Sequence, residues 1–168
     1  MRTALLVLCI GSAAHADTFQ ATDTYGLDLS TVWEPQNRDA FGAGPVFRYE
    51  SHDTRMPDWL AAVMRMGLFL DSADRIFSSL SAGLVVKPFD AGLYATLEGG
   101  VTLSREDLVM EERIRLSGTG SVAVGWRLGV WDVRAAGMIG GLFDHEVWLF
   151  SIGRDFIRLD SAVTLTRL

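Results

Sequence analysis

The chain has 168 residues, 49% of them hydrophobic, with 15 basic and 21 acidic side chains. This acidic balance argues against nucleic acid or anionic lipid as an electrostatic partner. The only cysteine, Cys9, excludes a disulfide within the chain.

The first sixteen residues have the features of an export signal. Arg2 precedes a short apolar run over residues 4–10, and Ala14-His15-Ala16 forms a small-residue cleavage site before Asp17. The run is too short to span a bilayer as a helix. We therefore predict a cleaved signal peptide over residues 1–16 and a single mature domain over residues 17–168, which retains no cysteine.

Residues 25–33 alternate strictly in polarity, which is typical of a strand with one apolar face. The apolar face has an aromatic residue at each end and comprises Tyr25, Leu27, Leu29, Thr31 and Trp33. The opposite face is small or polar and comprises Gly26, Asp28, Ser30 and Val32. Residues 41–50, 79–87, 93–104, 115–126 and 130–140 follow the same rule. Six such segments indicate strands.

The breaks between these segments indicate an antiparallel meander without intervening helices. Residues 88–92, 127–129 and 153–155 read as short turns, whereas residues 34–39 and 51–58 read as longer polar connections. The regular strand spacing is typical of a barrel.

The pattern allows more than one number of strands. Residues 59–70 are apolar on both faces, and Pro57 could open a helix over residues 57–66. Residues 147–152 and 157–165 add two more candidates, which makes nine strands, whereas bacterial barrels have an even number. A helix at residues 57–66 would leave eight, and a missed strand in residues 18–24 would give ten. We expect an all-β fold, a closed antiparallel up-and-down barrel of about eight strands.

Charged residues of both signs lie on the polar faces and would fill the lumen of such a barrel. An eight-strand lumen is just wide enough for side chains, and buried charges require partners. We predict a filled polar lumen with a charge network of Asp28, Arg48, Glu50, Arg65, Glu98, Arg115, Asp132 and Arg134.

Aromatic residues near the ends of the apolar faces favour a lipid-embedded barrel over a soluble one. The predicted interface aromatics are Tyr25, Trp33, Phe41, Tyr49, Trp126 and Trp131. Eight residues separate Tyr25 from Trp33, about 27 Å along a strand, close to the roughly 25 Å apolar band of a membrane barrel. A soluble periplasmic barrel that binds a small apolar ligand is the alternative.

By this pattern the chain resembles the small bacterial outer-membrane β-barrel proteins. The resemblance implies a location in the outer membrane of a Gram-negative cell, with outer-membrane lipid and the assembly machinery of that membrane as partners. One departure is the C-terminus, where Leu168 replaces the usual aromatic residue. We expect a structural, adhesive or interaction role, and no open pore because side chains fill a lumen of this width.

Candidate chemistry in the sequence is sparse. Ser51-His52-Asp53 are adjacent and cannot converge as a catalytic triad. His145, between Asp144 and Glu146, is a weak candidate base for a hydrolase acting on lipid A or phospholipid. We predict no metal site and no cofactor, because the two histidines of the mature chain are isolated.

Overall fold

The computed structural model describes residues 17–34, 41–72, 76–88, 92–108, 111–140 and 147–165. These residues form eight antiparallel strands that close into one barrel, as predicted. The strands are β1 (Asp17–Trp33), β2 (Phe41–Asp53), β3 (Leu60–Asp71), β4 (Ile76–Val86), β5 (Leu93–Leu108), β6 (Glu111–Leu128), β7 (Trp131–Gly140) and β8 (Val147–Leu165).

Each strand pairs with the next along the chain, and β1 pairs with β8 to close the barrel. The pairing is staggered, because a path of paired residues once round the barrel returns to β6 ten residues from its start. That path runs through Leu128, Trp131, Arg154, Leu27, Phe47, Met66, Leu80, Val101 and Gly118. Such a stagger requires strands strongly tilted to the barrel axis.

The strand count of eight is right, but the predicted reason for it is wrong. Residues 60–66 belong to β3, so no helix removes a candidate strand there. Residues 18–24 extend β1 and do not form a separate strand. The two C-terminal candidates are one strand, because residues 153–155 continue the β8 ladder and do not form a turn. The pairing shifts there: Tyr25 lies opposite Ile157 and Gly26 opposite Asp155, which leaves Phe156 as the extra residue of a bulge.

The alternating polarity places the apolar faces outside the barrel and the polar faces inside. Leu27, Leu29 and Leu97 are exposed on the outer surface, whereas Asp28, Ser30 and Glu98 are buried in the lumen. This orientation is the reverse of that in a soluble barrel, whose apolar side chains fill the interior. Within the described residues there is no helix long and apolar enough to cross a membrane.

The lumen is layered along its axis. We call the end of the barrel that carries both chain termini the terminal end, and the opposite end the loop end. An apolar cluster near the loop end includes the stacked rings of Phe69 and Phe77, whose centroids are 4.8 Å apart. A second apolar cluster near the terminal end contains Val63, Val85 and Tyr94. The charged side chains lie between these clusters and at the terminal mouth. The apolar inner face of β3, which made that segment ambiguous in sequence, contributes to both clusters.

The β1–β8 seam closes the barrel, and its register can be tested by paired cysteines. Ala21 lies opposite Ser161, whereas Ala162 lies opposite Gln20. We expect Ala21→Cys with Ser161→Cys, in a Cys9→Ser background, to form a disulfide on mild oxidation, because cross-strand partners bring their Cβ atoms within reach. Non-reducing electrophoresis would detect the closed form. The matched control is Ala21→Cys with Ala162→Cys, whose side chains lie on opposite faces; equal cross-linking of both pairs would contradict this register.

Candidate functional site

The charged lumen is centred on Arg48 of β2, whose side chain is only 1% exposed. Its guanidinium contacts three carboxylates from three other strands. Nη1 lies 2.8 Å from Asp132 of β7, and Nη2 lies 2.7 Å from Asp155 of β8 and 3.4 Å from Asp28 of β1. One side chain therefore joins strands from both sides of the β1–β8 seam across the lumen.

Glu98 of β5 is the centre of the other half of the network. Arg65 lies 3.1 Å from its carboxylate, and Arg134 lies 2.8 Å from it. The hydroxyls of Thr96 and Ser81 each donate a hydrogen bond to it over 2.8 Å. Arg65 also lies 3.1 Å from Asp28, so the Glu98 half and the Arg48 half share a carboxylate.

A third group of charges lies at the terminal mouth. Glu50 is buried there and accepts hydrogen bonds from Lys87 and from Arg127, the latter over 2.8 Å. Arg127 also lies 3.4 Å from Asp132, which connects this group to the Arg48 half. Tyr94 donates a hydrogen bond to Asp132, and the Arg127 guanidinium lies 5.5 Å from the centre of the Tyr94 ring. The whole network is therefore continuous across the lumen.

The charges of this network balance. Within the described residues it contains five cations, Arg48, Arg65, Lys87, Arg127 and Arg134, and five carboxylates, Asp28, Glu50, Glu98, Asp132 and Asp155. A neutral set of paired charges is the arrangement expected where water is scarce, because an uncompensated buried charge is strongly destabilising.

The structure brings together seven of the eight residues predicted for the charge network. The eighth, Arg115, has an exposed side chain, and it makes none of the buried ion pairs among the described residues. By its pairing with Ser104 it lies on the lumen side of β6. However, the described pairs of β7 with β6 extend to Gly140 opposite Thr119, and Arg115 lies beyond that point towards the loop end. The alternation along β6 predicted correctly that Arg115 lies on the lumen side, but it could not predict the position of Arg115 along the barrel axis.

Four further members were missed in the sequence-based network: Tyr94, Lys87, Arg127 and Asp155. Tyr94 shares the inner face of β5 with Glu98, and that parity could have identified it. Arg127 and Asp155 fall in segments that the sequence pattern predicted as turns, at residues 127–129 and 153–155. Residues 127–128 belong to β6 and residues 153–155 belong to β8, and Arg127 and Asp155 join the ion pairs of the lumen.

Glycines in the wall leave room for the buried charges. A Cβ atom on Gly26 would lie 2.7 Å from the Arg48 Nη2 atom, and one on Gly153 would collide with the Asp28 carboxylate and backbone. These two positions belong to β1 and β8, where Arg48 and Asp28 cross the lumen. The absence of a side chain there is a packing requirement of the network.

The predicted interface aromatics lie near the two ends of the outer surface. At the loop end, Trp33 lies opposite Phe41 on one side and Trp148 on the other. At the terminal end, Trp126 and Trp131 flank the turn between β6 and β7, and the ring of Tyr25 packs 5.2 Å from that of Tyr49. Between these levels, exposed aliphatic side chains cover the barrel, including Leu29, Leu68, Leu80, Leu97, Val122, Val133 and Ile152.

The adjacent residues Ser51, His52 and Asp53, all within the described part of the chain, do not assemble into a site. Ser51 donates a hydrogen bond to Asp23 over 2.7 Å, and the Asp53 carboxylate binds Arg55. The His52 Nδ1 atom lies 2.8 Å from the carbonyl of Leu60. The side chains of these three residues therefore contact three different partners. His145 lies outside the described residues, so its candidate role stays a prediction.

No protein-family model matches the chain, and no curated protein sequence matches it. Among solved structures it is similar to a de novo designed transmembrane β-barrel, with a TM-score of 0.55 and 10% identity over 79% of this chain and 95% of that one. It is similar to the attachment invasion locus protein Ail of Yersinia pestis, with a TM-score of 0.53 and 12% identity over 84% and 99%. The N-terminal barrel domain of Pseudomonas aeruginosa OprF gives a TM-score of 0.47 and 13% identity over 84% and 100%. The first two likenesses concern the fold, and they confirm the predicted resemblance to small membrane β-barrels at that level.

Removal of Arg48 should destabilise the barrel more than removal of any other single charge in the network. Arg48→Met leaves parts of three buried carboxylates uncompensated, and breaking a buried ion pair typically costs about 3–5 kcal/mol. The midpoint of urea unfolding in lipid vesicles would measure the loss. Arg115→Met is the matched control, expected to change the free energy of unfolding by no more than about 0.5 kcal/mol because its side chain is exposed. Similar effects of the two substitutions would contradict the buried network.

Proposed function

We propose that this protein is an outer-membrane β-barrel with a structural, adhesive or interaction role and without an open pore. The observation that carries the proposal is the combination of an apolar outer surface with a lumen filled by a neutral charge network. An apolar exterior over the whole circumference needs a lipid solvent, because in water it would promote association.

The lumen supports a sealed barrel and not a conduit. Arg48 reaches from β2 to carboxylates on β1, β7 and β8, and Arg65 and Arg134 converge on Glu98 from two other strands. Apolar side chains, among them Phe69 and Phe77, fill the lumen between this charged layer and the loop end. An ion crossing the barrel would have to separate several buried pairs, which is costly at low dielectric.

The outer surface can be tested by placing one charge at mid-height. Leu97 is 65% exposed on the outer face of β5, between the two aromatic levels. We expect Leu97→Arg to destabilise the barrel in lipid vesicles by about 2–4 kcal/mol, the cost of an arginine at the bilayer midplane. The measurement is urea unfolding of protein folded into vesicles.

The control is Leu159→Arg, which lies on the outer face of β8 beyond the Tyr25–Ile157 pair towards the terminal end. An arginine near or outside the interface should cost about 0–1 kcal/mol. If both substitutions are neutral and the wild-type chain stays folded in buffer without detergent, the barrel is not lipid-embedded and the soluble alternative is favoured.

The absence of a pore can be tested in planar bilayers. We expect no stepwise ion conductance from the folded wild-type chain, because the lumen charges are paired and packed. Arg48→Ala removes the central side chain without replacing its volume, and it should open rare, small conductance steps if the barrel still folds. Regular wild-type conductance steps in the absence of detergent would overturn the sealed-lumen proposal.

A further inference from the structure

We propose that a cavity at the terminal mouth binds the phosphate of a lipid headgroup. The cavity has a volume of about 540 Å³ and lies where β3 and β5 begin and β4 and β6 end, with Trp59, Lys87, Leu93, Tyr94 and Arg127 on its walls. Its size falls within the range of small-molecule sites. Neither the charge network nor the barrel closure requires this opening, and it combines cations with exposed apolar groups.

The walls of the cavity are held by backbone hydrogen bonds between strands. The Lys87 amide donates to the Trp59 carbonyl over 2.6 Å, and the Arg127 amide donates to the Gly92 carbonyl over 2.9 Å. These bonds fix the two cationic residues beside Trp59 and beside the start of β5. The cavity is therefore built on the ends of the barrel strands and is positioned by the barrel itself.

The cations of the cavity are more accessible than the carboxylates that balance them. The side chains of Lys87 and Arg127 are 32% and 20% exposed, whereas that of Glu50, which both contact, is 5% exposed. Asp132, 3.4 Å from Arg127, is 3% exposed, whereas Asp155, 3.9 Å from Arg127, is 18% exposed. An anion that enters the cavity thus meets the cationic side of a neutral cluster.

The hydrogen-bonding capacity of these cations exceeds what Glu50 uses. A lysine ammonium has three N–H donors, and Glu50 accepts one of those of Lys87. Asp58, another acid that lines the cavity, has a fully exposed side chain at the rim, where solvent screens it. A phosphate, with several acceptor oxygens, suits the Lys87 donors that Glu50 does not use. The acidic net charge of the chain predicted no attraction to anionic lipid, and this mouth is a local exception.

The apolar part of the cavity favours a lipid over a free anion. Trp59 and Leu93 are exposed at the rim, at the same end of the outer surface as Trp126 and Trp131. Leu93 lies directly opposite Trp126 in the β5–β6 ladder. Aromatic residues of membrane barrels lie at headgroup level. A lipid at this level would place its phosphate against Lys87 and Arg127 and its glycerol and upper chains against Trp59 and Leu93.

This inference rests on the membrane placement proposed above. The test is a titration of the full folded barrel in detergent with dioctanoyl-phosphatidylglycerol, dioctanoylglycerol or inorganic phosphate, with bound lipid counted by native mass spectrometry. We expect the phosphate-bearing lipid to bind at least about tenfold more tightly than dioctanoylglycerol. Inorganic phosphate should not displace it at comparable concentration. Displacement at comparable concentration would overturn the assignment to lipid in favour of a free-anion site.

Substitutions of single cations test whether the lipid binds in this cavity. Lys87→Gln should weaken phosphatidylglycerol binding about tenfold, and Lys87→Arg should retain it. The matched control is Arg154→Gln, an exposed cation near Trp131 at the same end of the barrel, which should change binding less than about twofold. Equal losses for Lys87→Gln and Arg154→Gln would overturn the site, because they would indicate only general attraction.

Two further results keep the test decisive. If Lys87→Gln does not fold, Trp59→Leu is tested in its place, because the Trp59 side chain is exposed and takes no part in the ion pairs. Trp59→Leu should weaken phosphatidylglycerol binding about threefold. An unchanged affinity would overturn the proposal. A wild-type chain that binds no lipid and stays folded without detergent would contradict the membrane placement itself. A chain that inserts into vesicles but does not distinguish the two lipids would contradict only this site.

Discussion

The structure depends on one constraint: the strands that carry the charge network must bury a polar face and present an apolar one, because the sheet closes on itself. In a two-faced strand, a shift in pairing of one residue would move every charge to the outer surface. The charges of the lumen therefore fix the register as well as fill space. Their balance, five cations and five carboxylates within the described residues, allows the polar face to be buried without an uncompensated charge.

Arg48 connects this constraint to the closure of the barrel. Its carboxylate partners belong to β1, β7 and β8, so its side chain joins the strands on both sides of the seam. An apolar lumen could be equally stable, since buried ion pairs often contribute little net stability. An apolar lumen would, however, give the strands two similar faces and no preference for one orientation. The ion pairs are thus better explained by specificity of folding than by stability.

Sequence pattern predicted the fold and the face of nearly every residue, because alternation with a period of two is a direct consequence of strand geometry. The prediction failed where that period is broken, and where burial depends on the position of a residue along the barrel axis. The bulge at Phe156 shifts the alternation within β8, so one strand was interpreted as two. Arg115 has the parity of a lumen residue, but it lies beyond the end of β7 and is exposed. The partners of Glu50 at the terminal mouth depend on which strand ends meet there. The polarity pattern of a single strand does not carry that information.

The central claim, that lipid surrounds this barrel between two aromatic levels, can be tested directly through its five tryptophans. Trp33 and Trp148 are exposed near the loop end, and Trp59, Trp126 and Trp131 near the terminal end. The measurement is quenching of tryptophan fluorescence in vesicles whose lipids carry bromine at defined depths along the acyl chain. The account predicts strong quenching by bromine close to the headgroup and weak quenching by bromine at the bilayer centre. Quenching that is absent with every brominated lipid, or strongest at the bilayer centre, would contradict it.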